Sequence, residues 1–207
     1  MRSVLKTVFL ASALTLAAPA LTHASEVYKA TVSPLTTAVK IDIVYSEDMQ
    51  YRANNLPKSI SLRGPGTSRG TSSGFFGNGY YGEKSLNNLA KSLETKMTKR
   101  FAKTGIVISD DAPVTMRVTI TDVKNNRPTF KQISQEPGLS FQSIAIGGAE
   151  LNAEFVDKDG TSLGTMHYSY FERDFDISRD FSSVWFDANR GFSRFAKKAA
   201  KKLASEG

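Results

Sequence analysis

Val114-Thr115-Met116-Arg117-Val118-Thr119-Ile120-Thr121 decides the fold. Apolar side chains stand at every second position and polar ones between them, which is the period of a strand with one dry face and one wet face. β-branched residues on both faces strengthen the reading. A strand with a wet face belongs to an antiparallel sheet with helices on its other side.

The chain on either side of this segment agrees. After it, Ile144 to Gly148 is apolar and begins a further strand. Ala149, Leu151, Ala153 and Phe155 then alternate with Glu150, Asn152 and Glu154. Asp157-Lys158-Asp159-Gly160 reads as a turn, and Leu163 to Phe171 returns, so residues 149–171 are expected to form a hairpin. Before it, Val39, Ile41, Ile43 and Tyr45 alternate with Lys40, Asp42 and Val44, predicting another strand. Residues 25–37 show no clear period. Gly105 to Ser109 suggests a short extended piece, and Asp110-Asp111-Ala112-Pro113 a turn.

Two stretches carry the helical period. Leu86, Leu89, Ala90, Leu93, Met97 and Phe101 share one arc, with Ser85 expected as the N-cap and Gly105 as the stop. From about Ser182 to Leu203, residues Trp185, Ala188, Phe192, Phe195, Ala196, Ala199 and Leu203 share another. Arg190, Arg194, Lys197, Lys198 and Lys201 lie opposite, and the last lysines suit the negative end of the helix dipole. The expected class is α+β: a mostly antiparallel sheet of four or five strands with two helices packed on one face, in the order strand-helix-strand-strand-strand-helix.

Two connections stand out. Residues 46–82 keep neither period and run through Arg63-Gly64-Pro65-Gly66 to Gly74-Phe75-Phe76-Gly77-Asn78-Gly79-Tyr80-Tyr81-Gly82. Structureless connections of this length are uncommon. Residues 124–140, with Arg127 and Phe130, read as a loop.

The first residues read differently from the rest. Arg2 and Lys6 precede an uncharged, mostly apolar run from Val8 to Ala18, then Pro19 and Thr22-His23-Ala24. This is the pattern of a secretory signal peptide over residues 1–24, cleaved after Ala24 or, as second choice, after Ala20. The apolar run is short of the ~20 residues that span a bilayer. Residues 25–207 are expected to form a single domain. Removing Arg2 and Lys6 lowers the formal charge from +7 to +5. That excess permits contact with anionic surfaces without requiring it. Cysteine is absent, so no disulfide and no lipidated cysteine are available. The periplasm is the expected location.

Few residues offer chemistry. Cleavage would leave one histidine, His167, inside a predicted strand, and no Gly-x-Ser-x-Gly elbow accompanies it. One imidazole and no thiol exclude the usual zinc sites, and no cofactor is expected. Asp157-Lys158-Asp159-Gly160 starts like a calcium loop but lacks its closing Glu, and a turn explains it. The glycine-rich segment lacks phosphate-loop spacing. Glu150, Glu154 and Glu172 are the carboxylates from which a hydrolase acting on an envelope polymer would have to be built. Phe75, Phe76, Tyr80 and Tyr81 between glycines either form a contact surface, with Arg63, Arg127 and Phe130, or tuck back into the domain.

The helix ending Thr104-Gly105-Ile106-Val107, the strand Val114–Thr121, Gly147-Gly148-Ala149 and the Asp159-Gly160 turn together resemble the small α+β domains of Gram-negative envelope proteins. Some of those are auxiliary parts of transport or secretion machines, and many are lipidated, which this chain without Cys departs from. The expected function is a non-catalytic interaction module, binding an envelope protein or a cell-wall or lipid component. Export argues against nucleic acid, and no transmembrane anchor is expected. Homo-oligomers through an exposed sheet edge are an open alternative.

Overall fold

A computed structural model describes residues 24–57, 78–173 and 183–204. The proposed signal peptide, up to residue 23, lies outside them, as do Arg63, Phe75 and Phe76. The elements run β1 (Ala24–Ala30), β2 (Val39–Tyr45), α1 (Glu47–Arg52), α2 (Glu83–Lys103), β3 (Val114–Lys124), α3 (Phe130–Gln135), β4 (Gly148–Asp157), β5 (Ser162–Glu172) and α4 (Phe186–Leu203). The five strands form one sheet in the order β1-β5-β4-β3-β2. Only the β2–β3 pair is parallel, and the remaining pairs are antiparallel. This is the expected α+β architecture.

The alternation in β3 is realised as a sidedness. Val114, Met116, Val118 and Ile120 are buried, as are Leu151 and Phe155 of β4 and Met166, Tyr168 and Tyr170 of β5. Helices α2 and α4 cover this face and pack on one another, with Leu86, Leu89, Leu93, Met97 and Phe101 from α2 and Phe192, Phe195, Ala199 and Leu203 from α4. Burying each of the large side chains is worth roughly 1.5–3 kcal/mol. The opposite sheet face is left wet. Thr119, Arg117 and His167 lie there, and Arg117 pairs with Asp42 at 3.1 Å.

Helix α2 stops as Gly105 predicts. Gly105 has φ +77°, Ile106 N–H donates to the Phe101 carbonyl at 3.1 Å, and Gly105 N–H donates to Ala102. That is a Schellman ending, with Ile106 and Phe101 both buried beside it. The short extended piece is present too, since Val39 N–H donates to Val107 O and Ser109 N–H to Val39 O.

Five expectations need correction. The N-cap of α2 is Gly82, not Ser85. Helix α4 starts at Phe186, later than the periodicity suggests. Residues 46–82 are not wholly irregular: α1 is capped by Ser46, whose hydroxyl accepts the Met49 N–H at 3.3 Å, and Glu47 and Asp48 suit its positive end. Residues 124–140 contain α3, opened by a capping box in which Thr129 and Gln132 bond each other's backbone. The first part of residues 25–37, read without a clear period, belongs to edge strand β1, Ala24–Ala30.

Candidate functional site

The site grows from the end of β3. There the chain reaches Asn125 and Asn126, both fully buried. Buried amides must find partners, and these find several. Asn125 Nδ2 donates to Gln132 Oε1 at 2.7 Å and to the Arg127 carbonyl at 2.6 Å. Asn126 Nδ2 donates to Asp187 Oδ2 at 2.6 Å and to the Ala145 carbonyl at 3.1 Å. Its backbone N–H donates to Val184 O at 2.8 Å. Asp187 Oδ2 also accepts the Gly147 N–H at 3.0 Å. The network joins the end of β3, the start of β4 and the first turn of α4.

A second set of bonds adds the stems of the glycine-rich connection. Gln132 Nε2 donates to Gly79 O at 2.8 Å, and Thr129 Oγ1 donates to Tyr80 O at 3.3 Å. Tyr80 N–H donates to Asn55 O, Tyr81 N–H to Arg52 O and Gly82 N–H to Ala53 O, so the two stems lie side by side. Fully buried Arg52 braces them, pairing with Asp48 at 2.8 Å and Asp122 at 2.6 Å. Burial alone would lower the Arg52 pKa, but Tyr81, Asp122 and Asp48 outweigh it and raise it.

On this framework sits an exposed aromatic pair. Phe130 is 81% exposed and Phe141 56%. Their rings meet edge to face, with centroids 5.1 Å apart at 72°. Arg127 Nη1 donates to the Phe141 carbonyl at 2.8 Å, fixing the second ring's backbone. The rings border a groove of about 410 Å³ lined also by Ser85, Arg127, Pro128 and Val184. The framework already holds the backbone beneath both rings, so burying them against another molecule would order little further chain.

The expected site residues separate accordingly. Arg127 and Phe130 are brought together in the groove, and the stem at Tyr80 lies against Thr129, the N-cap of α3. Tyr81 is a core residue. Its hydroxyl donates to Val123 O at 2.7 Å, its ring meets Trp185 edge to face at 5.4 Å, and burial pushes its phenol up. It is therefore not available as a contact group. Arg63, Phe75 and Phe76 lie outside the described residues. Phe141 is the member that sequence reasoning misses, and Thr129-x-x-Gln132 is the signal that would have found α3.

The carboxylates do not converge. Glu150 and Glu154 are on the wet sheet face, whereas Glu172 is buried on the helix side, accepting from the Tyr170 hydroxyl at 3.1 Å and lying 3.8 Å from Arg190. Burial and the neighbouring Glu172 push the Tyr170 phenol up to about 12. His167 Nδ1 meets Asn152 Oδ1 at 2.8 Å and Glu150 at 3.9 Å in a cross-strand row. Asp157 Oδ1 is occupied by the N–H groups of Asp159 and Thr161, as a turn requires. Among the described residues there is no group of three or more His, Cys, Asp or Glu that could hold a metal. Among them, too, no helix is long and apolar enough to cross a membrane.

No family model matches the chain, and no curated protein matches it. Among solved structures it is similar to the PelC dodecamer from Paraburkholderia phytofirmans, at 7% identity and a TM-score of 0.48, over 88% of this chain and 100% of that one. A variant of the same dodecamer gives 8% and 0.46 over the same shares. A minor lipoprotein from Acinetobacter baumannii gives 12% and 0.29, over 56% of this chain and 84% of that one.

Proposed function

We propose that the chain is a non-catalytic interaction module of the cell envelope, and that it engages its partner through the Phe130–Phe141 groove. The observation that carries this is the pairing of two largely exposed phenylalanines on a framework of buried hydrogen bonds. A solvated loop has no need of such a framework. Burying both rings supplies apolar area at a site whose backbone is already ordered, which is how contact hot spots work. The occupant is an apolar segment of an envelope component. The separation of Glu172 from Glu150 and Glu154 favours this reading over a carboxylate hydrolase, which requires two carboxyls about 5–10 Å apart in one cleft.

The test is comparative affinity capture from native envelope extract. The Phe130→Ser, Phe141→Ser double variant should lose the captured component while melting at the temperature of the unaltered protein. Undiminished capture by the double variant would refute the reading.

A further inference from the structure

A second cavity, of about 430 Å³, lies away from the aromatic groove. It is lined by Tyr28, Pro34, Lys198, Lys201, Lys202 and Ala204. The chain leaving β1 forms one wall, pinned where Leu35 N–H donates to the Leu203 carbonyl at 2.9 Å. The last turns of α4 form the other. Lys198 Nζ stands 5.3 Å over the Tyr28 ring and 3.5 Å from Glu26 Oε1.

The lysines exceed what the helix end requires. A helix C-terminus carries about half a negative charge, spread over its last carbonyls. Two of those carbonyls are already satisfied, Ala200 by Ala204 N–H and Leu203 by Leu35 N–H. Glu26 offsets Lys198 but is shared with Arg194, which it meets at 2.6 Å. Lys201 and Lys202 are exposed, and no carboxylate faces them among the described ion pairs. The cavity therefore sets the cations Lys198, Lys201 and Lys202 beside the apolar surfaces of Tyr28, Pro34 and Ala204.

We infer that this cavity takes the phosphodiester headgroup of an anionic phospholipid. The ammonium groups of Lys201 and Lys202 meet the phosphate, and the tyrosine ring and proline lie against the glycerol and first methylenes. Such ligands couple a charge to an apolar body, as the cavity lining couples lysines to apolar side chains. The site is independent of the aromatic groove and would hold the module against a membrane leaflet.

The test is co-sedimentation of the full chain with vesicles of phosphatidylcholine mixed with phosphatidylglycerol, against pure phosphatidylcholine. Binding to the mixed vesicles alone is expected. The K201Q/K202Q variant should bind them roughly tenfold or more weakly. R100Q/K103Q removes two cations from the last turn of α2 instead, and should bind like the unaltered protein. Circular dichroism melts confirm that both variants fold. An equal loss in both variants would reduce the effect to net charge and overturn the proposal. Failure of the unaltered chain to bind mixed vesicles would overturn it too. So would saturable calorimetric binding of soluble glycerol phosphate with no vesicle binding, which would assign the cavity to a free phosphate.

Discussion

Asn126 and Asp187, 61 positions apart, hold one another reciprocally. The Asn126 amide donates to Asp187 Oδ2 at 2.6 Å, and the Asp187 backbone N–H donates to Asn126 Oδ1 at 2.8 Å. Both residues are fully buried. Removing one leaves the other's polar atoms in a dry site, where each unsatisfied group costs about 1–3 kcal/mol. Asn126→Ala should therefore destabilise the fold by about 2–4 kcal/mol, read as a lower denaturation midpoint at unchanged slope. It should also disturb the amide resonances of Phe130 and Phe141, since the same residue anchors their framework. A change under about 0.5 kcal/mol, the range of an ordinary surface substitution, would contradict this account of the network.

Tyr81 and Phe130 should behave as opposites. Tyr81→Phe deletes the donor to Val123 O in a buried site and should cost about 1–2 kcal/mol. Phe130→Ser alters a side chain that is 81% exposed and should leave stability within about 0.5 kcal/mol. Parallel thermal melts decide, and equal losses would mean the assignment of core and contact residue is wrong.

Gly79 is fixed by close approach. A Cβ there would clash with the Asn55 carbonyl oxygen. Gly79→Ala must push the two stems apart and break the Tyr80 N–H bond to Asn55. The expected cost is about 1–3 kcal/mol. Faster hydrogen exchange at Tyr80 and Gly82 should accompany it, and unchanged exchange would speak against apposed stems.

Glu26 gives the fold a pH dependence. Burial pushes its carboxyl upward, but the Arg194 hydrogen bond and the charges of Lys198 and Arg194 outweigh this and hold it below its ordinary 4.5. A group whose folded value is the lower one stabilises above its unfolded value and loses that contribution as pH falls through the folded one. The gap in melting temperature between the unaltered protein and Glu26→Gln should be full at neutral pH and shrink below about 4.5. A gap that stays constant down to about pH 3 would show that the Glu26 ion pair contributes nothing.

The elements legible in the sequence are those whose two faces meet different surroundings. Val114–Thr121 alternates because one face is packed by helices and the other is wet. Strand β1 shows no such pattern for a specific reason. Glu26 sits within reach of Tyr168, Arg194 and Lys198, so a charged residue occupies a position that alternation assigns to an apolar one. At six residues, α3 is too short for a helical period, and only its capping box marks it. Arg127 and Phe130 are legible as a basic and an aromatic residue in a connection. Phe141 is not, because what brings it to Phe130 is a bond from Arg127 and a network closed by Asp187. The glycines flanking Tyr81 suggest freedom, and nothing local reveals the Val123 carbonyl and Trp185 ring that hold it.

Site-specific photocrosslinking in the native envelope tests the proposed contact surface most directly. A benzophenone side chain at position 130 reports from the groove, and one at Val107, an exposed apolar position at 62% outside the groove lining, serves as the control. A discrete adduct from position 130 and none from position 107 is the predicted result. Adducts from position 107 with none from position 130 would place the contact surface elsewhere and contradict the account.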